Sequence, residues 1–141
     1  MTRTIRISAA LVLNQAGQTL LVRKRGTRAF MQPGGKIEPH EDPPIALVRE
    51  LKEELGVTVA ASNPVHIGRF SAPAANEPGS IVEAELFRVD LSNTVTPAAE
   101  IEEIAWIDPA TTTDLILAPL TRDHVLPLHR RLGNGIAASS G

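Results

Sequence analysis

A single α+β domain is what the sequence predicts, on three observations. The chain has 141 residues and 43% hydrophobic side chains, enough for about one domain with a real core. Two aliphatic, β-branched segments near its start and a period-two segment from Ile81 to Leu91 read as strands. Between them, Asp42 to Gly56 carries the start signal, the periodicity and the stop signal of a helix. There is no internal repeat, second domain or low-complexity tract, so the expected domain is residues 1–132, with a small, polar tail over 133–141 that is expected to fray.

In chain order, Thr4 to Leu13 is the first strand, and the turn chemistry of Asn14-Gln15-Ala16-Gly17 leads back into a second, Thr19 to Arg25, as a hairpin. That strand ends in Arg23, Lys24 and Arg25, which read either as edge-protecting charges or as a phosphate clamp. Pro33-Gly34-Gly35 permits a tight backbone path close to a ligand. Asp42 is placed as an N-cap acceptor, Pro43 at the first helical position and Gly56 as a left-handed C-cap. Val57 to Ala60 and Val65 to Ser71 are expected strands, and Ala72 to Ser80 a loop at the rim of a site. In Ile81 to Leu91, Val82, Ala84 and Leu86 take one face and Glu83 and Glu85 the wet one. Ile104 to Ile107 is a short buried strand, and Thr121 to Leu132 a helix bent or broken near Pro127.

The helix carries the chemistry. Glu50, Glu53 and Glu54 stand at i, i+3 and i+4, inside a sector of about 100°. Ile45, Leu47, Val48, Leu51 and Leu55 are expected on the roughly opposite side, as the stripe that packs onto a sheet. An acidic helix face can be merely solvated: like charges at these spacings cost about 0.2–0.5 kcal/mol each, and Arg49 can offset part of this by reaching Glu53.

Composition excludes several classes. Without cysteine there is no disulfide, thiolate nucleophile or sulfur-bound zinc, which leaves oxygen and imidazole as metal ligands and points to a hard cation. A net charge of −2, from 14 basic and 16 acidic side chains interspersed, gives no field for duplex nucleic acid. No apolar run approaches a membrane span and the start lacks a signal-peptide core, so a cytoplasmic protein is expected.

Taken together, Gly35, Glu41, Arg49, Glu50, Leu51, Glu53, Glu54, Gly56 and Val57 fill every specified place of a pattern that resembles the signature of the Nudix hydrolases. Its seven fixed identities would coincide by chance with a probability on the order of 10⁻⁸ per register. His40 departs from the glycine that many relatives carry before the first glutamate, and histidine tolerates the left-handed turn better than most residues.

The resemblance implies an α/β/α sandwich around a mixed sheet, and hydrolysis of a diphosphate bond in a nucleoside diphosphate derivative by a water that the metal activates. It implies Mg²⁺, with Mn²⁺ as substitute, on Glu50, Glu53, Glu54 and the carbonyl of Gly35, with Glu41 nearby or orienting Arg49. A carboxylate must take the water's proton. Glu53 on the helix and Glu100, in a stretch resembling the family's late acidic loop, both qualify, and Glu100 reads equally as a surface charge. For a small nucleotide substrate, a (d)NTP above all, Arg23, Arg25 and Lys36 are the candidates for phosphate and Phe30 and Asn76 for the base. ADP-ribose or a nucleotide sugar is the alternative substrate, and a non-catalytic nucleotide-sensing module the alternative class. Dimers are common in the family, so a homodimer is among the assemblies expected.

Overall fold

The structure, a computed structural model, describes residues 3–75, 77–91, 95–108 and 114–130. Its strands are β1 (Arg3–Leu13), β2 (Thr19–Lys24), β3 (Gly34–Lys36), β4 (Val65–Pro73), β5 (Ser80–Asp90) and β6 (Ile101–Ile107). Helix α1 is Pro43–Leu55, and a second helical segment, α2, spans residues 119–130. The expected tail lies outside the described residues, as does the end of the second expected helix.

The strands form one mixed sheet in the order β4-β5-β1-β2-β6, with β3 also pairing β1. β1 runs parallel to β5 over its whole length, Arg3 opposite Ser80 through Leu13 opposite Asp90. The other pairings are antiparallel. Strand alternation in β1 feeds two cores. Ala10 and Val12 face α1 with Leu20, Val22, Leu47, Leu51, Leu55, Phe87 and Val89. Ala9 and Leu11 face the other way, with Ala84, Leu86, Leu120 and Val125. A helix therefore covers each side of the sheet, which is the α/β/α sandwich.

Four local expectations are corrected. Val57 to Ala60 is not a strand: it forms no ladder, but Val57 and Val59 are buried in the α1-side core. Gly34–Lys36, expected as turn chemistry, pairs with Ile7, Ser8 and Ala9 as β3. Glu85 is not on a wet face: it is buried, accepting hydrogen bonds from Arg69 Nε at 2.5 Å and pairing with His66 Nε2 at 3.1 Å. Asp42 holds the N-cap position with extended backbone but makes no side-chain capping bond. The start of α1 is instead pinned to the sheet by Ser8, whose hydroxyl donates to the Pro43 carbonyl at 2.6 Å.

β3 lies against β1 because Gly34 has no side chain. Its φ is +146°, and a Cβ there would sit 2.9 Å from the Ala9 Cα and closer still to the Ser8 carbonyl oxygen. Neither backbone group can yield without parting the β1–β3 pair. Gly34→Ala is expected to destabilise the protein by at least about 2 kcal/mol, read as a lowered urea midpoint with an unchanged slope. An unchanged midpoint would refute the close approach.

In α2 the stretch Thr121–Val125 is π-wound, the Leu126 N–H donating to the Thr121 carbonyl five residues back. Pro127 follows directly and is accommodated in a helix that continues to Arg130, so the segment is rewound rather than broken. Among the described residues no helix is long and apolar enough to cross a membrane.

Candidate active site

α1 presents its carboxylates differently from the expected division into two opposite faces. The buried residues are Ala46, Leu47, Leu51, Glu54 and Leu55, whereas Ile45 is 46% exposed. On a helical wheel Glu50 and Glu54 fall between Ala46 and Leu47, within the packed sector. Glu54 is only 6% exposed, and the side chain of Glu50 16%, against 55% for Glu53. The three glutamates thus form a ramp from solvent to core.

Each step of that ramp has its own partner. Arg49 is the hub: Nε and a terminal nitrogen donate to both oxygens of Glu41 at 2.8 and 2.9 Å, the other terminal nitrogen to Glu50 Oε1 at 2.8 Å, and the Lys36 carbonyl accepts at 3.2 Å. Glu53, the i+4 partner, lies at 3.7 Å. The guanidinium beside Glu41 holds that carboxyl down, at about 2, and Glu41 in turn raises Arg49. Glu41 reaches this position through His40, whose φ is +66°, the left-handed turn that a glycine would otherwise supply. Glu54 Oε1 accepts from the Gly34 N–H at 3.0 Å. Burial pushes Glu54 up to about 7 and also raises Glu50.

Gly35 fixes the spacing between β3 and α1. A Cβ on it would lie 2.6 Å from Glu50 Oε1, so the strand passes directly over that carboxylate. From the other side, the Ala98 N–H donates to the Glu54 carbonyl at 2.8 Å and the Thr96 N–H to the Leu55 carbonyl at 3.2 Å. The Glu100 carbonyl accepts from the Arg25 N–H at 2.7 Å. These bonds hold Ala99 at φ +53°, a conformation costly for alanine, and bring Glu100 to the rim of the same pocket.

That pocket, about 450 Å³, is lined by Gly35, Glu50, Glu53, Glu54 and Glu100, with Lys24 and Lys36. A second cavity, about 160 Å³ and largely apolar, lies on the α2 side between β1, β3 and the start of α2. Lys24, Gly35, Lys36 and Glu77 line both. An acidic site and an apolar one are joined across β3.

The other expected contacts are distributed unevenly. Arg23 pairs with Glu103 at 3.1 Å and Arg25 with Glu102 at 3.1 Å, on the edge toward β6, and neither lines either pocket. Phe30 is buried, its backbone bonded to Ile116 and Ala118, and lines neither pocket. Asn76 lies outside the described residues. Lys24, expected only as a member of the Arg23–Arg25 cluster and not among the individual phosphate candidates, is the one of the three that lines both pockets. Strand alternation is the signal that identifies it: Lys24 follows Leu20 and Val22 on the face toward α1, and its charge acts on both Glu50 and Glu54.

Among the described residues no three acidic side chains converge closely enough to hold an ion between them. The donor set nonetheless fits a hard divalent cation. It is all oxygen, and the bonds to Arg49 and Gly34 use Oε1 of Glu50 and of Glu54, so the second oxygen of each remains for a ligand. Burial above all, with a smaller part from neighbouring carboxylates, raises both carboxyls, a cost that a bound cation relieves.

A pH effect follows for the metal-free protein. Glu54 keeps its proton in the native state up to about 7, while the unfolded chain releases it near 4.5. Stability therefore falls as pH rises between those values, by up to about 3 kcal/mol. In EDTA, Glu54→Gln is expected to match the wild type below pH 4.5, to exceed it increasingly up to about pH 7, and to keep a constant margin above that. Parallel pH curves for the two proteins would contradict the buried carboxyl.

A mixed sheet sandwiched by helices, with a carboxylate-bearing helix docked under a Gly-Gly strand, defines an α/β/α sandwich with an acidic pocket on one side of its sheet. The NUDIX domain family matches residues 2–128, and the chain belongs to that family. Over 87 residues it is 33% identical to a CTP pyrophosphohydrolase of Escherichia coli (strain K12), covering 61% of this chain and 60% of the relative. Over 59 residues it is 37% identical to an 8-oxo-dGTP diphosphatase of Haemophilus influenzae, covering 39% of this chain and 43% of the relative. The aligned part is thus less than two thirds of either relative. The MutT protein of Methanosarcina mazei Go1 shares the fold, with a TM-score of 0.76 at 24% identity over 94% of this chain and 96% of that one.

Proposed function

We propose that the chain hydrolyses a diphosphate bond of a small nucleotide, a nucleoside triphosphate above all, with Mg²⁺ in the acidic pocket. The observation that carries this reading is the junction across β3: a carboxylate pocket and an apolar cavity that share Lys24, Gly35 and Lys36. A nucleotide has the matching anatomy, an apolar base at one end and a polyphosphate at the other. The E. coli relative named for CTP and the H. influenzae relative named for 8-oxo-dGTP support a triphosphate over ADP-ribose or a nucleotide sugar.

Mg²⁺ would be held by Glu50, Glu53, Glu54 and the Gly35 carbonyl, supplying charge neutralisation to the diphosphate and a more acidic water. The chain's own residues do the rest. Lys24 and Lys36 face the phosphates from the shared wall, offsetting charge that develops on the leaving oxygens. Arg49, locked to Glu41, fixes Glu50 and separates it from Glu53. As the water's oxygen bonds to phosphorus and the bridging P–O bond breaks, its proton passes to a carboxylate. Glu53, exposed in the pocket, is one acceptor. Glu100, held there by the strained turn at Ala99, is the other.

The reading is tested by incubating the protein with Mg²⁺ and each of the common (d)NTPs, 8-oxo-dGTP, ADP-ribose and nucleotide sugars. Mononucleotide release is expected to be fastest from a triphosphate. Tight nucleotide binding with no product from any of them would favour the sensing module instead.

A further inference from the structure

Among the described residues the only buried histidine is His129, on the last turn of α2, at 6% exposure. It follows Val125 and Leu126, both buried, by four and three positions, so the helix turns its ring to the same inward face. Its Nδ1 is closed off from solvent and has no hydrogen-bond partner among the described residues. A neutral ring can leave that nitrogen as a bare lone pair at modest cost. The imidazolium cannot: both of its nitrogens carry protons, and a charged donor with neither acceptor nor water would lie inside the protein.

The groups around α2 do not offset that charge. From β5, Arg88 adds a charge of the same sign, although it also meets Asp90 at 3.2 Å. From the end of β6, Asp108 acts in the opposite sense and more weakly than Arg88. β1 and β4 contribute Leu11, Leu13, Ile67 and Phe70 to the α2-side core. On α2 itself Arg122 pairs with Asp123 at 2.8 Å on the surface, His124 lies against the Phe70 ring at 5.6 Å, and Arg130 is exposed. Burial above all, with Arg88, therefore holds His129 below the ordinary imidazole value of 6.5.

We infer that His129 is an acid-released latch: neutral, it lets α2 lie on the sheet, and on taking a proton it releases α2. Because α2 carries Leu120 and Thr121 into the lining of the apolar cavity, its release opens that cavity. The undocked ring takes its proton near 6.5 and the docked ring only at lower pH, so docking is at full strength above 6.5 and weakens as pH falls below it. In the metal-free protein Glu54 acts in the opposite direction, its proton favouring the native state as pH falls below about 7. The latch is a property of the fold and does not depend on the reaction proposed above.

Amide hydrogen exchange of the full chain, read by mass spectrometry at about pH 7.5 and about pH 5.5 and corrected for intrinsic rate, tests the latch. Relative to β1 and β5 in the same sample, wild-type α2 is expected to lose protection by about three- to tenfold at the lower pH, the upper figure being what one pH unit below 6.5 allows. The internal comparison removes the global effect of Glu54. His129→Phe keeps a ring of similar size that cannot take a proton, and its α2 is expected to hold constant protection. Unchanged protection of α2 in the wild type, or the same loss in His129→Phe, overturns the inference. Should the variant not fold, the wild-type His129 ring decides, followed by proton–nitrogen NMR: titration below 6.5 alongside the loss at α2 supports the latch, and titration at or above 6.5 overturns it.

Discussion

Glu53→Gln is expected to lower nucleotide turnover by about 10³-fold or more in saturating Mg²⁺, because the amide loses both a charged oxygen ligand and a proton acceptor. The fold should not notice. Glu53 is the most exposed of the three glutamates, packs against nothing in the core, and meets Arg49 only at 3.7 Å. Removing one of several crowded negative charges is, if anything, mildly stabilising in the metal-free protein. Loss of rate with an unchanged thermal midpoint is therefore the signature. Glu100→Gln divides the two candidates for the proton: a fall of about 10²–10⁴-fold makes Glu100 the acceptor, and a fall below tenfold leaves that role with Glu53. Unchanged activity in Glu53→Gln would remove the acidic pocket from the chemistry altogether.

Gly35→Ala gives the second large effect by a different route. The added methyl would stand 2.6 Å from Glu50 Oε1, a flexible side-chain end rather than backbone. The carboxylate can swing aside, so stability should fall little, in contrast to Gly34→Ala. Swinging aside breaks the 2.8 Å bond to Arg49 and withdraws an oxygen from the pocket. A displacement of about 1 Å in a catalytic group can cost 10²-fold, and at least that loss of kcat is expected. Wild-type turnover in Gly35→Ala would contradict the placement of Glu50 beneath β3.

The contrast between neighbouring glycines shows where sequence reading was sufficient and where it was not. The spacing of Gly35, Glu41, Arg49, Glu50, Glu53 and Glu54 was enough to place the chain in its family and to predict the helix and the mixed sheet. Hydrophobic period gave β1, β2 and β5 nearly to the residue. Local pattern could not reveal that Pro33-Gly34-Gly35 becomes a strand, because β3 exists only by pairing with β1 some 25 residues earlier. Nor could helical periodicity show that Glu54 is buried. A wheel assigns charge to solvent, and only the Gly34 N–H, which donates to this carboxylate from a strand far away in sequence, explains why it lies inside.

Charge clusters were the least legible. Arg23, Lys24 and Arg25 look equivalent in sequence, yet alternation at the end of β2 sends Arg23 toward Glu103 on β6 and Lys24 toward the carboxylates of α1, while Arg25, just past the strand, pairs with Glu102. Phe30, a candidate for the base because it stands just before the Pro-Gly-Gly turn, is spent on the core.

The central claim is that the acidic pocket cleaves a diphosphate bond with a divalent cation. Phosphorus-31 NMR of CTP incubated with the protein tests it most directly, with Mg²⁺ or with excess EDTA. Mononucleotide and pyrophosphate signals are expected to grow with Mg²⁺, not with EDTA, and not above background for Glu53→Gln. Product formation that persists in EDTA or in Glu53→Gln, or intact CTP in the presence of Mg²⁺ and wild-type protein, would contradict it.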